Sequence, residues 1–177
     1  PVKCGPEKAR LSTRRSGTGQ MYWPYSIAIR ASDRLAFVAD TLNNRITVWD
    51  VATRAQIASY TGGGLSQPRS VTVVEGTNKI VVADWGNNRV LELAYSRTSG
   101  FALTRAIAPG LNGPEGAGVD VNGDMWIADT GNNRVQQFDA SGQFIQMIGA
   151  PGAGDGQFRF PEDLAFDSEG NLYVADT

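Results

Sequence analysis

The residues best suited to chemistry are an aspartate, an asparagine and an arginine that recur together along the chain. In each copy the asparagine follows the aspartate by four positions and the arginine by five. A carboxylate beside a guanidinium could act as a general base or bind a polar ligand. The members of this Asp–Asn–Arg motif are Asp40, Asn44 and Arg45, then Asp84, Asn88 and Arg89, then Asp129, Asn133 and Arg134, and finally Asp176.

The repetition of the motif favours a structural role. A catalytic site is normally single, whereas this motif recurs in every complete repeat. Asparagine tolerates the left-handed backbone of a tight turn and bonds its own backbone, and aspartate can accept backbone N–H groups in the same turn. Arginine can bridge to a carboxylate or a carbonyl of a neighbouring repeat. We therefore expect the motif to be architecture.

The composition excludes several kinds of site. The 177 residues include no histidine, so the commonest general base and metal ligand are missing. The single cysteine, Cys4, cannot form an internal disulfide or a thiolate zinc site. A formal net charge of −2 argues against a nucleic-acid partner, and no apolar run has the length of a membrane span. We expect no catalytic residue, no cofactor and no metal.

The elements that position the motif are short strands in a regular repeat. An apolar run precedes each aspartate, and the aspartates recur every 44 to 47 residues. A proline lies upstream of each one, at Pro24, Pro68, Pro114 and Pro161. The segment from Asp120 to Asp124 resembles the start of a calcium loop, but Met125 stands where glycine is required, so we interpret it as a hairpin turn. Four strands in such a period are typical of a β-propeller blade.

The sequence Ala-Asp-x-x-Asn-Asn-Arg followed by Ile or Val, with a proline some 16 residues upstream, resembles the NHL repeat. The resemblance covers residues 20–177 and implies an all-β propeller, usually of six blades, each a four-stranded antiparallel sheet. It implies a platform for binding proteins, or RNA in some members. A minority of relatives are enzymes, including a lyase that acts on peptide ends through metal-bound histidines, which this chain lacks.

The repeats predict the organisation of the chain. We expect blades at residues 23–66, 67–112 and 113–159, a partial blade at 160–177, and an outer blade strand from residues 1–22. This arc is incomplete, so we expect it to be part of a larger propeller or to be completed by a protein partner or another copy of the chain. The lone Cys4 and secreted relatives favour an extracellular or cell-surface setting.

The residues after the prolines are the candidates for a ligand site, because they should surround the mouth of the central channel. Unlike the motif they vary, and variation on a fixed scaffold can carry specificity. With Trp85, which replaces a threonine of the other repeats, they form what we call the candidate rim. Its members are Tyr25, Arg69, Trp85, Glu115, Glu162 and Asp163.

The sequence therefore favours a protein-binding or assembly scaffold that is not an enzyme, with a polar or peptide ligand at the candidate rim. The alternative is a propeller-type hydrolase or lyase with an acidic site at the channel mouth, with or without a divalent metal. Glu115, Glu162 and Asp163 would carry that chemistry.

Overall fold

Each apolar run forms a strand in the computed structural model, which describes residues 17–108 and 110–177. The described residues contain fourteen strands. Their bounds are β1 Pro24–Arg30, β2 Leu35–Asp40, β3 Arg45–Asp50, β4 Ala55–Tyr60, β5 Pro68–Val73, β6 Lys79–Asp84, β7 Arg89–Ser96, β8 Gly100–Ile107, β9 Gly116–Val119, β10 Met125–Asp129, β11 Arg134–Phe138, β12 Phe144–Ile148, β13 Pro161–Phe166 and β14 Leu172–Asp176. The helical segments are single 3₁₀ turns at Thr41–Asn43, Gly62–Gly64, Trp85–Asn87 and Thr130–Asn132.

The strands pair in chain order into antiparallel sheets. Three sheets have four strands each, β1–β4, β5–β8 and β9–β12, and β13 pairs with β14. Since neighbours in each sheet are also neighbours in sequence, every pairing is local and no strand crosses over another. These are the four-stranded antiparallel blades of a β-propeller, so the all-β fold class is confirmed.

The core lies between stacked sheets. All six residues of β2 are buried. In β6 the side chains alternate: Ile80 and Val82 pack in an apolar cluster shared with the first sheet, whereas Val81 packs in a cluster shared with the third. A strand presents successive side chains to opposite faces, so β6 contributes to both clusters at once. The continuous apolar run of the second strand therefore reflects burial on both faces.

The Asp–Asn–Arg motif builds the turn between the second and third strands. Asp84 ends β6, the 3₁₀ turn Trp85–Asn87 follows, and Asn88 has the left-handed φ of 51°. Asn44 and Asn133 have φ values of 52° and 53°. Asparagine is one of the few residues with a side chain that adopts this backbone routinely, as the sequence predicted.

The aspartate of the motif accepts a backbone N–H from outside its own turn and side-chain donors from within it, which corrects the expectation that it accepts backbone N–H groups there. Oδ1 of Asp84 accepts the N–H of Ser66, which precedes the first strand of the blade, at 2.7 Å. Oδ2 accepts from Asn87 at 2.8 Å and from Nε of Arg89 at 2.6 Å. Arg89 also donates to the carbonyl of Gly63 in the connector before the blade. The equivalent backbone donors are those of Tyr22 to Asp40, Asn112 to Asp129 and Arg159 to Asp176.

The asparagine of the motif reaches in the opposite direction. Oδ1 of Asn88 accepts the N–H of Gly113, just ahead of the next blade, at 2.7 Å. The side chain therefore does not bond its own backbone as expected, but joins consecutive blades. The same bond runs from Gln67 to Asn44 at 2.8 Å and from Phe160 to Asn133 at 2.9 Å.

Two sequence expectations concern other parts of the chain. The outer strand expected within residues 1–22 falls on a segment of which residues 1–16 lie outside the described part. The helices of the described part are single turns, and none of them is long and apolar enough to cross a membrane.

Candidate functional site

The first strand of each blade brings the candidate rim to one end of the sheets. Pro24, Pro68 and Pro161 pair with the aspartates that end the second strands. The residue after each proline therefore lies at the same end of the blade as the Asp–Asn–Arg motif. Because the first strands of successive blades contact one another, their post-proline residues become neighbours.

A β-bulge displaces the post-proline residues from the strand ladder. The register shifts between Pro24 and Ser26, between Pro68 and Ser70, and between Pro161 and Asp163, so the residue between them has no partner opposite. Those residues are Tyr25, Arg69 and Glu162. A bulge re-aims a side chain and is frequent beside functional sites. Sequence analysis missed it, because the shift appears only when the strands are paired.

Arg69 is the centre of the candidate rim. Its guanidinium carbon lies 4.8 Å from the ring centroid of Tyr25 and 4.7 Å from that of Trp85, both within cation–π range. Nη1 donates to Oε1 of Glu115 at 3.2 Å. One residue thus joins the first strand of blade one, the turn of blade two and the start of blade three.

Glu115 is the unusual group of this cluster. Its side chain is only 12% exposed, and Oε2 is buried without a hydrogen-bond donor from the described residues. Burial raises the pKa of the Glu115 carboxyl above its ordinary value; Arg69 opposes the rise, and the charge of Glu162 adds to it. The Tyr25 hydroxyl also lowers the pKa in part as a hydrogen-bonding neighbour, although it does not reach bonding geometry with Oε2. The carboxylate is therefore held in an environment that disfavours its charge.

The other two acidic residues of the candidate rim differ in their surroundings. Glu162 influences Glu115 electrostatically, and its Oε1 accepts from the Thr177 hydroxyl at 3.4 Å. Asp163 is exposed, and its Oδ1 accepts the N–H of Leu164 at 2.9 Å. Within residues 17–108 and 110–177, no three histidine, cysteine, aspartate or glutamate side chains gather closely enough to hold a metal ion.

A cavity of about 420 Å³ adjoins Arg69 and Tyr25. Its other walls include Trp23, which is 63% exposed, and Leu42. Sequence analysis singled out neither of these. The available signal was position: Trp23 precedes the proline of its repeat, where its φ is +55°, and Leu42 follows Thr41 in the turn. The full lining is Trp23, Tyr25, Thr41, Leu42, Gln67 and Arg69.

Comparison with known families identifies the repeat. The model of the NHL repeat matches residues 65–93 and 111–138. The chain contains NHL repeats. The two matched NHL repeats include the Asp–Asn–Arg motifs of blades two and three, so the sequence resemblance is confirmed.

Two curated proteins are similar to part of this chain. A probable peptidyl-alpha-hydroxyglycine alpha-amidating lyase of Caenorhabditis elegans is 39% identical over 67 residues, covering 36% of this chain and 19% of the lyase. The protein brain tumor of Drosophila melanogaster is 38% identical over 52 residues, covering 29% of this chain and 5% of that protein. The chain therefore matches less than a fifth of the length of either relative.

Solved structures support the fold. A streptogramin B lyase superimposes with a TM-score of 0.68 at 19% identity, covering 86% of this chain and 48% of the lyase. The WD40 β-propeller domain of Doa1 superimposes with a TM-score of 0.71 at 14% identity, covering 89% of this chain and 49% of that one. At such identities the likeness establishes the propeller fold, and the chain spans about half of each structure.

Proposed function

We propose that this chain is a protein-binding scaffold that captures a peptide segment of its partner at the candidate rim. The observation that carries the proposal is the Arg69 cluster, in which residues from three blades meet beside an open cavity. Aromatic and arginine side chains are the residues that most often anchor protein interfaces. The cluster combines both types at one end of a rigid sheet stack.

The unsatisfied oxygen of Glu115 supports the same proposal. A buried acceptor without a donor destabilises a fold by roughly 1–3 kcal/mol, so such groups are rare unless they serve a purpose. Here the group lies beside the cavity residues Tyr25 and Arg69. A peptide is rich in N–H donors that could satisfy it.

A second candidate is an enzyme that uses acidic residues, and one observation favours it. Glu115 has a raised pKa beside Glu162, and a carboxyl of this kind can serve as a general acid. Two proteins similar to this chain bear the name lyase. Against it, the 177 residues contain no histidine, and the described residues gather no metal-binding group. We therefore place the scaffold first.

Selection from a phage-displayed random peptide library tests the proposal. The protein is expected to enrich peptides that no longer bind the Arg69→Ala and Trp85→Ala variants. Arg159→Ala is the matched control for Arg69, because Arg159 is an exposed arginine outside the candidate rim. Binding that survives both rim substitutions, or a library that yields no enriched peptide, would contradict the proposal. Turnover of the selected peptides, followed by mass spectrometry, would favour the enzyme instead.

A further inference from the structure

The charges of the candidate rim favour one kind of ligand. Glu115, Glu162 and Asp163 carry three carboxylates, and Arg69 is the only cation among the six rim residues. An anionic ligand would have to use Arg69, which already pairs with Glu115. The charge of Glu162 acts on the same Glu115 carboxylate and would also oppose an anion. A cationic ligand brings this acidic surface closer to neutrality.

The hydrogen bonds of Glu115 identify the point at which a cation would bind. Oε1 is taken by Arg69, whereas Oε2 has no donor among the described residues. A primary ammonium carries three donors and no acceptor, so it can bond Oε2 and still donate to Glu162. A charge-assisted bond of this kind is stronger than a neutral one. Oε2 is covered in the unliganded chain, so binding of an ammonium there requires a covering side chain to change rotamer.

The adjoining cavity sets a requirement for the neighbouring part of the ligand. Trp23, Tyr25 and Leu42 present aromatic and aliphatic surface to its interior. Tyr25 borders both this cavity and Glu115. An apolar side chain next to the ammonium could therefore be buried while the charge is paired.

We propose that the candidate rim binds a primary ammonium of a peptide between Glu115 and Glu162, with an adjacent apolar side chain in the cavity of Trp23, Tyr25 and Leu42. This inference rests on the proposed peptide-binding function and names the chemistry that this function requires. The ammonium belongs to a lysine side chain or to a free peptide amino terminus, two sources that share the same donors.

Four short peptides test the inference by calorimetric titration of the full-length protein. The first is an acetylated pentapeptide amide of alanine with one leucine beside one lysine. The second carries the same lysine acetylated on its side chain, and the third carries glutamate instead of lysine. The fourth has leucine first, a free amino terminus and no lysine. Only the first and the fourth offer a primary ammonium, and they separate its two sources.

We expect the lysine peptide, the free-terminus peptide or both to bind roughly 10- to 100-fold more tightly than the acetyl-lysine and glutamate peptides, the range for losing one charge-assisted hydrogen bond. Glu115→Gln and Glu162→Gln should each remove most of that preference. Glu75→Gln is the matched control, because Glu75 lies in an exposed turn between β5 and β6.

The outcomes separate this inference from the proposed function. Equal binding of the lysine and acetyl-lysine peptides, tighter binding of the glutamate peptide, or no binding of any of the four overturns the inference. If the phage library still yields peptides that depend on Arg69 and Trp85, the scaffold function stands without it. If the library also yields none, both proposals fail.

Discussion

Replacing Asp84 by alanine should destabilise the fold through three specific contacts. The carboxylate is fully buried and accepts from the N–H of Ser66, from Asn87 and from Arg89. A buried donor left without its acceptor costs roughly 1–3 kcal/mol, and breaking a buried ion pair costs roughly 3–5 kcal/mol. Since the side chain of Arg89 is 23% exposed, water can replace part of its lost bond.

These contributions overlap, so we expect Asp84→Ala to lower the free energy of unfolding by about 3–5 kcal/mol. For a chain of this size, each kcal/mol corresponds to roughly 2–4 °C in melting temperature. Urea denaturation at neutral pH measures the loss. Asp84→Asn keeps one acceptor oxygen and should fall between the wild type and the alanine variant.

The matched control is Asp155→Ala, because Asp155 lies exposed in the connector before β13. Its effect should stay within about 0.5 kcal/mol, as for most surface substitutions. If Asp84→Ala were no more destabilising than Asp155→Ala, the three contacts would contribute nothing to stability, and the view that the motif is architecture would be refuted.

Substitutions at three further positions have definite expected outcomes. Asn88→Gly and Asn88→Ala both lose the bond to Gly113, but alanine also strains the left-handed backbone at this position. The alanine variant should therefore be less stable than the glycine variant by about 1 kcal/mol, as measured by urea denaturation. Equal stability of the two variants would contradict this. Trp85→Thr should leave the free energy of unfolding within about 1 kcal/mol of the wild-type value, because the threonines of the other turns donate to a proline carbonyl. It should nevertheless weaken peptide binding measured by titration, and unchanged binding would exclude Trp85 from the site. Burial raises the pKa of Glu115 above its ordinary 4.5, so the folded chain holds this proton more tightly than the unfolded chain, and its contribution to stability falls as pH rises through the raised pKa. Glu115→Gln should therefore gain stability relative to the wild type as pH rises above about 4.5, measured by melting at several pH values, and a constant difference would refute the assigned burial effect.

The fold was largely predictable from the sequence, because its signal is repeated. The period of the aspartates, the apolar second strands and the left-handed asparagine all follow from residue type and spacing. The backbone partners of Asp84 and Asn88 were not predictable, since they lie 18 and 25 residues away and depend on how connectors cross between blades. Local reasoning placed these bonds within the turn, where the backbone already bonds to itself from Asn88 to Trp85.

For the candidate site, the sequence predicted that post-proline residues lie near one another, but it predicted neither their contacts nor the cavity residues Trp23 and Leu42. Position after a proline brings Tyr25, Arg69 and Glu115 together, and the structure places them in contact. The bulge that turns these side chains, and the buried oxygen of Glu115, arise from strand register and packing between blades. Neither has a signature in the sequence of one repeat.

The bulge after Pro24, Pro68 and Pro161 has a consequence for how this protein can change over evolution. Tyr25, Arg69 and Glu162 have no partner opposite them in the ladder, so their side chains can be exchanged without disturbing the pairing of the strands. Backbone groups of consecutive blades are joined at other positions, among them the asparagines of the turns. Under the proposed function, recognition and stability are therefore encoded at separate positions of the same repeat. A lineage can therefore acquire a new ligand by substitutions that leave the stability of the scaffold nearly constant.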